Sequence, residues 1–481
     1  MHDIVCLEAL ELSEAIAQGH VSCREVMTAY LDHIEAVNPT INALVAVQPR
    51  EVLLRQADER DRELGAGHRR SWMHGFPHAV KDLTEVAGIP FTAGSPIHRE
   101  RIGRVDDAFV RRLRNAGAVI IGKTNTPELG FGSQTYNPVW GTTVNPYDTT
   151  RTVGGSSGGA AAALAARMVP VADGSDYMGS LRNPAAFTNT VGFRPSLGRI
   201  PKPGYVAQLS TIGPMGRTVT DVARLFDEVM ANSDPGMPLA CGRDRSDQRS
   251  EPADDLTGTR LAWMGDLGGH LAFEGGLLEL SESSLRAFED LGATVEHVVP
   301  DFDFDELWDA FLVWRWWHSV DFAELYDDPK TRAQLKPEAL WEIENGLRLS
   351  AREISRANKV RTRWHQTVAQ LFERHDFVAA PTTQVFPFDA GQHWPREVGG
   401  RTMDTYHRWM ETVAPWSLTG CPVLALPAGF DDRGLPAGIQ LIGPLRQDLS
   451  VLATGRLYEQ QTQWVTRRPP EPTRHAQAAR P

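Results

Sequence analysis

The run DGSDYMGSLRNPAAF, from Asp173 to Phe187, is polar and glycine-bearing and holds a serine, Ser180, between Gly179 and Leu181. A serine hydroxyl is a poor nucleophile until a base takes its proton, and this run contains no histidine. Two more serines, Ser156 and Ser157, stand together in VGGSSGGAAAAL, and a lysine, Lys81, lies in the apolar segment PHAVKD. The chain uses six lysines against 43 arginines, so a lysine within an apolar run invites a reason. Arginine keeps its proton in a protein, whereas a desolvated lysine can lose it. A neutral Lys81 could then serve as the base that Ser180 lacks. The bland alternative is a lysine at a strand end whose amine snorkels to solvent.

Two other motifs compete for attention. GAVIIGKT, Gly117 to Thr124, matches the spacing of a phosphate-cradling loop. Such a loop needs flexible backbone between its glycines, yet Ala118, Val119, Ile120 and Ile121 read as a strand, so nucleotide binding is not expected. GGSSG, Gly154 to Gly158, matches G-x-S-x-G with Ser156 at its centre and an alanine-rich helix behind it. The residues before it, DTTRT, make a poor strand. The histidine that this esterase-like reading requires could be His318, His365, His375 or His407, none of which sits in a telling context.

Taken in order, VKDLTEVAGIPFTAGS (80–95), ELGFGSQTYNPVWGTTVNPYD (128–148), GGSSGG (154–159), GSDYMGSLRNPAAF (174–187) and GLPAGIQLIGP (434–444) resemble the amidase signature family of serine hydrolases. The resemblance covers about residues 8–235 and 410–465 and fades across 236–410. It implies a Ser–Ser–Lys triad: Lys81 as base, Ser156 on a cis peptide as bridge, and Ser180 as nucleophile. It implies an oxyanion hole from the backbone N–H groups of Tyr177, Met178 and Gly179, a loop braced by Asp176 and Arg182, and a pocket bordered by Tyr136, Asn137 and Trp140. Ser157, Ser175 and Thr152 are expected to shape loops. The activity implied is hydrolysis of a small or apolar carboxylic amide, with ester or carbamate cleavage as side reactions and no cofactor or metal. YMGSLRNP departs from the commoner T-G-G-S-I-R pattern and resembles the branch with cyclic-dimer nylon-oligomer hydrolases and bacterial aryl and aliphatic amidases. Asn183 stands where the branch that amidates charged tRNA typically has glutamine, so a catalytically silent or amidotransferase-like binding protein is the lesser reading.

These residues need a scaffold. Residues 8–18 and 22–37 read as helices, the second with a capping box at Ser22 and Glu25 and a stop at Asn38-Pro39. Strand-like runs at PHAVKDL, GAVIIGKTN, 260–264, 294–299, 377–380 and 423–426 alternate with helical patterns at 106–115, 160–167 and 277–290. Alternation of this kind predicts an α/β fold, with one twisted mixed sheet flanked by helices. The expected organisation is a helical layer (1–65), a catalytic core (66–235), a divergent substrate-side region (236–410), a core return (411–465) and a disordered tail (466–481). Residues 232–257 read as a surface loop and 300–410 as less regular. FLVWRWWHSV (311–320) carries Trp314, Trp316 and Trp317; packing is the leading reading, and a substrate wall at Trp316 is the functional one.

Composition excludes some classes. With 23% charged residues and a net charge of -12 over 481 residues, a polyanionic partner would be repelled, so no nucleic-acid partner is expected. The four cysteines are scattered without a C-x-x-C pair, which argues against a zinc site or a disulfide framework. No secretory signal and no run of about 18 apolar residues is seen, so the expectation is a soluble, cytoplasmic protein without a membrane partner. A homodimer remains open.

Overall fold

The computed structural model describes residues 4–230, 236–242, 254–468 and 470. The surface loop expected at 232–257 and the tail expected at 466–481 fall largely outside them.

Two sheets meet around one buried helix. The smaller sheet has Val119–Thr124 in its middle, antiparallel to Leu44–Val45 and parallel to Pro77–Lys81. The larger has eight strands in the order Thr294–His297, Arg260–Trp263, Phe377–Pro381, Pro436–Ile442, Val423–Phe430, Val191–Arg194, Thr211–Gly216, Ala172–Asp176. Its first two pairings are parallel and the rest antiparallel, so the expected mixed sheet is present, with helices packed on it. The helix Gly158–Ala165, buried at every residue, packs against strands of both sheets. Its small residues allow this. A Cβ on Gly159 would lie 2.3 Å from the Asn125 nitrogen.

Several elements depart from expectation. The helix Cys23–Ile41 runs through Pro39 and ends at Asn42 in the left-handed region, whose N–H donates to Asn38 O at 2.7 Å. The Asn38 side chain takes the N–H groups of Ala43 and Leu44, so the chain leaves the helix with its donors satisfied. DTTRT, read as a poor strand, is one: Asp148–Thr152 pairs with Val144–Asn145 in a two-stranded hairpin. The pattern at 277–290 divides into Leu277–Ser283 and Arg286–Asp290. The region read as less regular holds three long helices: Phe304–Ser319, Pro337–Arg348 and Ala351–Phe372. Their start signals are ordinary: Asp303 caps the Glu306 N–H, Pro337 opens the second, and Ser350 with Glu353 forms a capping box. Among the described residues no helix is long and apolar enough to cross a membrane.

Candidate active site

Lys81 closes the strand Pro77–Lys81 and is 1% exposed. The edge strand Ala172–Asp176 packs against it, and Asp173 ties the two together. One carboxylate oxygen accepts the Lys81 backbone N–H at 3.3 Å and the other contacts His78 Nε2 at 2.9 Å. The Lys81 amine therefore does not snorkel. Its Nζ lies 2.8 Å from Ser156 Oγ, 2.8 Å from Ser157 Oγ and 3.1 Å from Ser175 Oγ. Burial pulls this amine down to about 7, against the opposing pull of the Asp173 and Asp176 carboxylates. Near neutral pH a large share of Lys81 is uncharged and carries a free lone pair.

Two serines thus touch the amine at the same distance, and their other bonds separate them. Ser157 Oγ also donates to Ser175 O and accepts from Ser175 N–H, both at 3.3 Å. It is fully enclosed, and a Cβ on Gly174 would strike it at 2.5 Å. Ser156 follows the cis peptide Gly155-Ser156 and lines the cavity that Ser180 also lines. Of the pair, Ser156 is the one open to a reacting group. The described hydrogen bonds run from Lys81 to Ser156 and stop there, short of Ser180.

The loop carrying Ser180 is organised by Asp176. Arg182 meets its carboxylate through Nε and Nη2, both at 3.0 Å, and the N–H groups of Gly179 and Leu181 add bonds of 2.8 and 3.1 Å. Burial would raise this carboxyl, but the Arg182 and Arg194 guanidiniums outweigh it and hold Asp176 well below the usual carboxylate range. Arg182 also reaches Val413 O, Gln440 Oε1 and Ser417 Oγ at 3.1, 2.8 and 2.7 Å. Gly179 turns the loop at φ +77°, where a Cβ would sit 2.6 Å from Asn183 Oδ1. The Gly179 N–H is committed to Asp176, whereas among the described residues no such bond claims the N–H groups of Tyr177 and Met178.

The cavity has a volume of about 90 Å³, and Tyr177, Met178, Arg315, His318, His407 and Met410 are among its lining residues. Tyr136, Asn137, Trp140 and Trp316 are not in that lining, because other contacts hold them. Tyr136 lies under Lys336, Asn137 donates to Asn125 and Thr126, Trp140 donates to Thr92, and Trp316 packs edge-on to Trp341. Sequence reasoning missed the wall that residues 304–410 supply, including Arg315, Tyr406 and Met410. His318 and His407, candidates for the histidine of the esterase-like reading, both line this cavity. His318 stacks on Tyr177, at 5.2 Å between ring centres, and burial pushes it down to about 4. No histidine hydrogen-bonds to Ser156 or Ser180 among the described residues. Lys123, of the phosphate-loop look-alike, is buried in the strand Val119–Thr124 and faces Asp82 at 3.8 Å. No group of three or more His, Cys, Asp or Glu side chains among the described residues converges as a metal would require.

The family model described as Amidase matches residues 25–452. An acylamidase of Rhodococcus erythropolis is 33% identical over 470 residues, spanning 96% of this chain and 97% of that one. A glutamyl-tRNA(Gln) amidotransferase component of Thermosynechococcus vestitus is 34% identical over 489 residues, spanning 95% and 98%. The crystal structure of a bacterial aryl acylamidase of the amidase signature family superposes with a TM-score of 0.88 at 28% identity, covering 99% of each chain.

Proposed function

The chain belongs to the amidase signature family of amide hydrolases, and from that premise we propose that it cleaves a small carboxylic amide through an acyl-Ser180 intermediate, with Lys81 as base and Ser156 as proton carrier. The observation that carries this reading is the buried Lys81 amine, pulled down to about 7 and 2.8 Å from a serine that opens onto the Ser180 cavity.

In the acylation step the Ser180 hydroxyl turns onto Ser156 Oγ, Ser156 passes its own proton to Lys81 Nζ, and Ser180 Oγ bonds to the amide carbon. Catalytic hydrogen bonds that are absent without substrate often form only in the complex. The tetrahedral oxyanion takes the N–H groups of Tyr177 and Met178; loss of one such donor typically costs about 10²–10³ in rate. The same relay run backwards protonates the nitrogen as the C–N bond breaks, which an amine leaving group requires. Water, deprotonated through the same path, then releases the acid from Ser180. No step calls on a cofactor, and the expected partner is a small-molecule amide.

The Rhodococcus acylamidase and the aryl acylamidase structure favour an N-acyl or aryl amide as substrate. A tRNA-linked amidotransferase role is the less favoured reading, given Asn183 in the nucleophile loop and the net charge of -12. A fluorophosphonate probe followed by peptide mass spectrometry tests the proposal. The label is expected on Ser180. A label on Ser156 would support the esterase-like reading instead, and no label on folded protein would support a catalytically silent one.

A further inference from the structure

Arg315 lies on the helix Phe304–Ser319, 9% exposed, and lines the same cavity as Ser180. Its guanidinium is held between two rings, 5.0 Å from the Phe131 centroid and 4.9 Å from that of Tyr177. Its Nε donates to Glu342 Oε1 at 2.8 Å. Glu342 is fully buried and is itself held by the Tyr406 hydroxyl, with Ser319 Oγ at 3.4 Å and His407 Nε2 at 3.4 Å. Burial would raise this carboxyl, yet Arg315 and His407 pull it down to about 2, so the pair is ionised at neutral pH. The guanidinium is therefore held by two rings and paired with a buried carboxylate. Of its five N–H donors, the Nε one is taken by Glu342, and the Tyr406 hydroxyl is a further neighbour of the guanidinium.

A guanidinium anchored through one edge on the cavity wall keeps further N–H donors for a substrate acceptor. Planar oxygen pairs are what its fork matches. Arg315 and Ser180 line one cavity of about 90 Å³, so a small amide held at Ser180 shares that space with the guanidinium side chain. Resting on the amidase reading above, we infer that Arg315 is a specificity-determining residue that selects amides bearing a second oxygen acceptor, a carboxylate or a carboxamide, a few bonds from the scissile group.

The test compares kcat/KM for the monoamides and diamides of succinic and adipic acid with butanamide and hexanamide, alongside a simple anilide. The wild-type protein is expected to favour an acceptor-bearing amide over its alkyl match by about tenfold or more, and the carboxylate and carboxamide arms report which acceptor is read. Arg315→Lys keeps a cation facing Glu342 but loses the fork, and the double change Arg315→Met with Glu342→Gln removes the pair without orphaning a charge; both should bring the ratio near unity. Equal rates across the panel, cleavage of the anilide alone, or a preference that survives both variants overturns the inference. The wild-type ratio decides even if a variant fails to fold. A protein that cleaves none of these compounds and leaves Ser180 unlabelled overturns the amidase reading instead.

Discussion

Replacing Lys81 by methionine should abolish turnover and, at neutral pH, relieve a stability cost. The folded chain holds this amine at about 7, while the unfolded chain titrates as an ordinary lysine near 10.4. Between those values the unfolded state binds more protons, so stability rises with pH across that window. Relative to a side chain that is never charged, the buried lysine costs about 4 kcal/mol at pH 7 and about 2 kcal/mol at pH 9. Methionine also removes the bonds to Ser156, Ser157 and Ser175, but that loss is the same at both pH values. The stability advantage of Lys81→Met over wild type should therefore shrink by about 2 kcal/mol from pH 7 to pH 9. Urea unfolding of both proteins at the two pH values measures it, together with turnover of an anilide, which should fall by about 10³ or more. A stability difference that does not change between pH 7 and pH 9 would mean that the amine is not desolvated, and the base assignment would go with it.

Two further outcomes follow from the same geometry. The kcat/KM profile should fall with unit slope below about pH 7 as Lys81 gains its proton, which a pH series on a neutral substrate reads directly; a flat limb to pH 5 would count against a lysine base. Asp176→Asn should destabilise the fold by about 3–5 kcal/mol, since it leaves Arg182 and Arg194 buried without their counter-charge, and should lower turnover because the bonds that shape the Ser180 loop weaken; denaturation and activity assays together check this.

The parts of the site that could be read from sequence are those whose chemistry lies in short segments. A lysine in PHAVKD, a serine pair among glycines and a serine between Gly179 and Leu181 are local facts. The parts that escaped depend on distant contacts. Ser156 and Ser157 look alike in GGSSGG; the bonds from Ser157 to Ser175 and the opening of Ser156 onto the Ser180 cavity tell them apart. The oxyanion loop was legible as a loop, but not the loss of the Gly179 N–H to Asp176. Trp316 drew notice as an aromatic residue, yet neighbours on a helix point about 100° apart, and it is Arg315 that lines the cavity. The helices of 300–410 were missed, although the Asp303 cap and the Ser350–Glu353 box are ordinary start signals. Pro39 misled because a helix can end beyond a proline when a side chain such as Asn38 takes the following N–H groups.

The reach of Arg182 has a consequence for biosynthesis. Its acceptors at Val413, Ser417 and Gln440 all emerge from the ribosome long after the serine they help to place. A chain truncated before residue 413 would own every reactive group and still hold a buried cation without three of its anchors. Turnover in a cell extract thus reports that translation reached the last strand, and nonsense products lacking it are expected to be inert and prone to clearance.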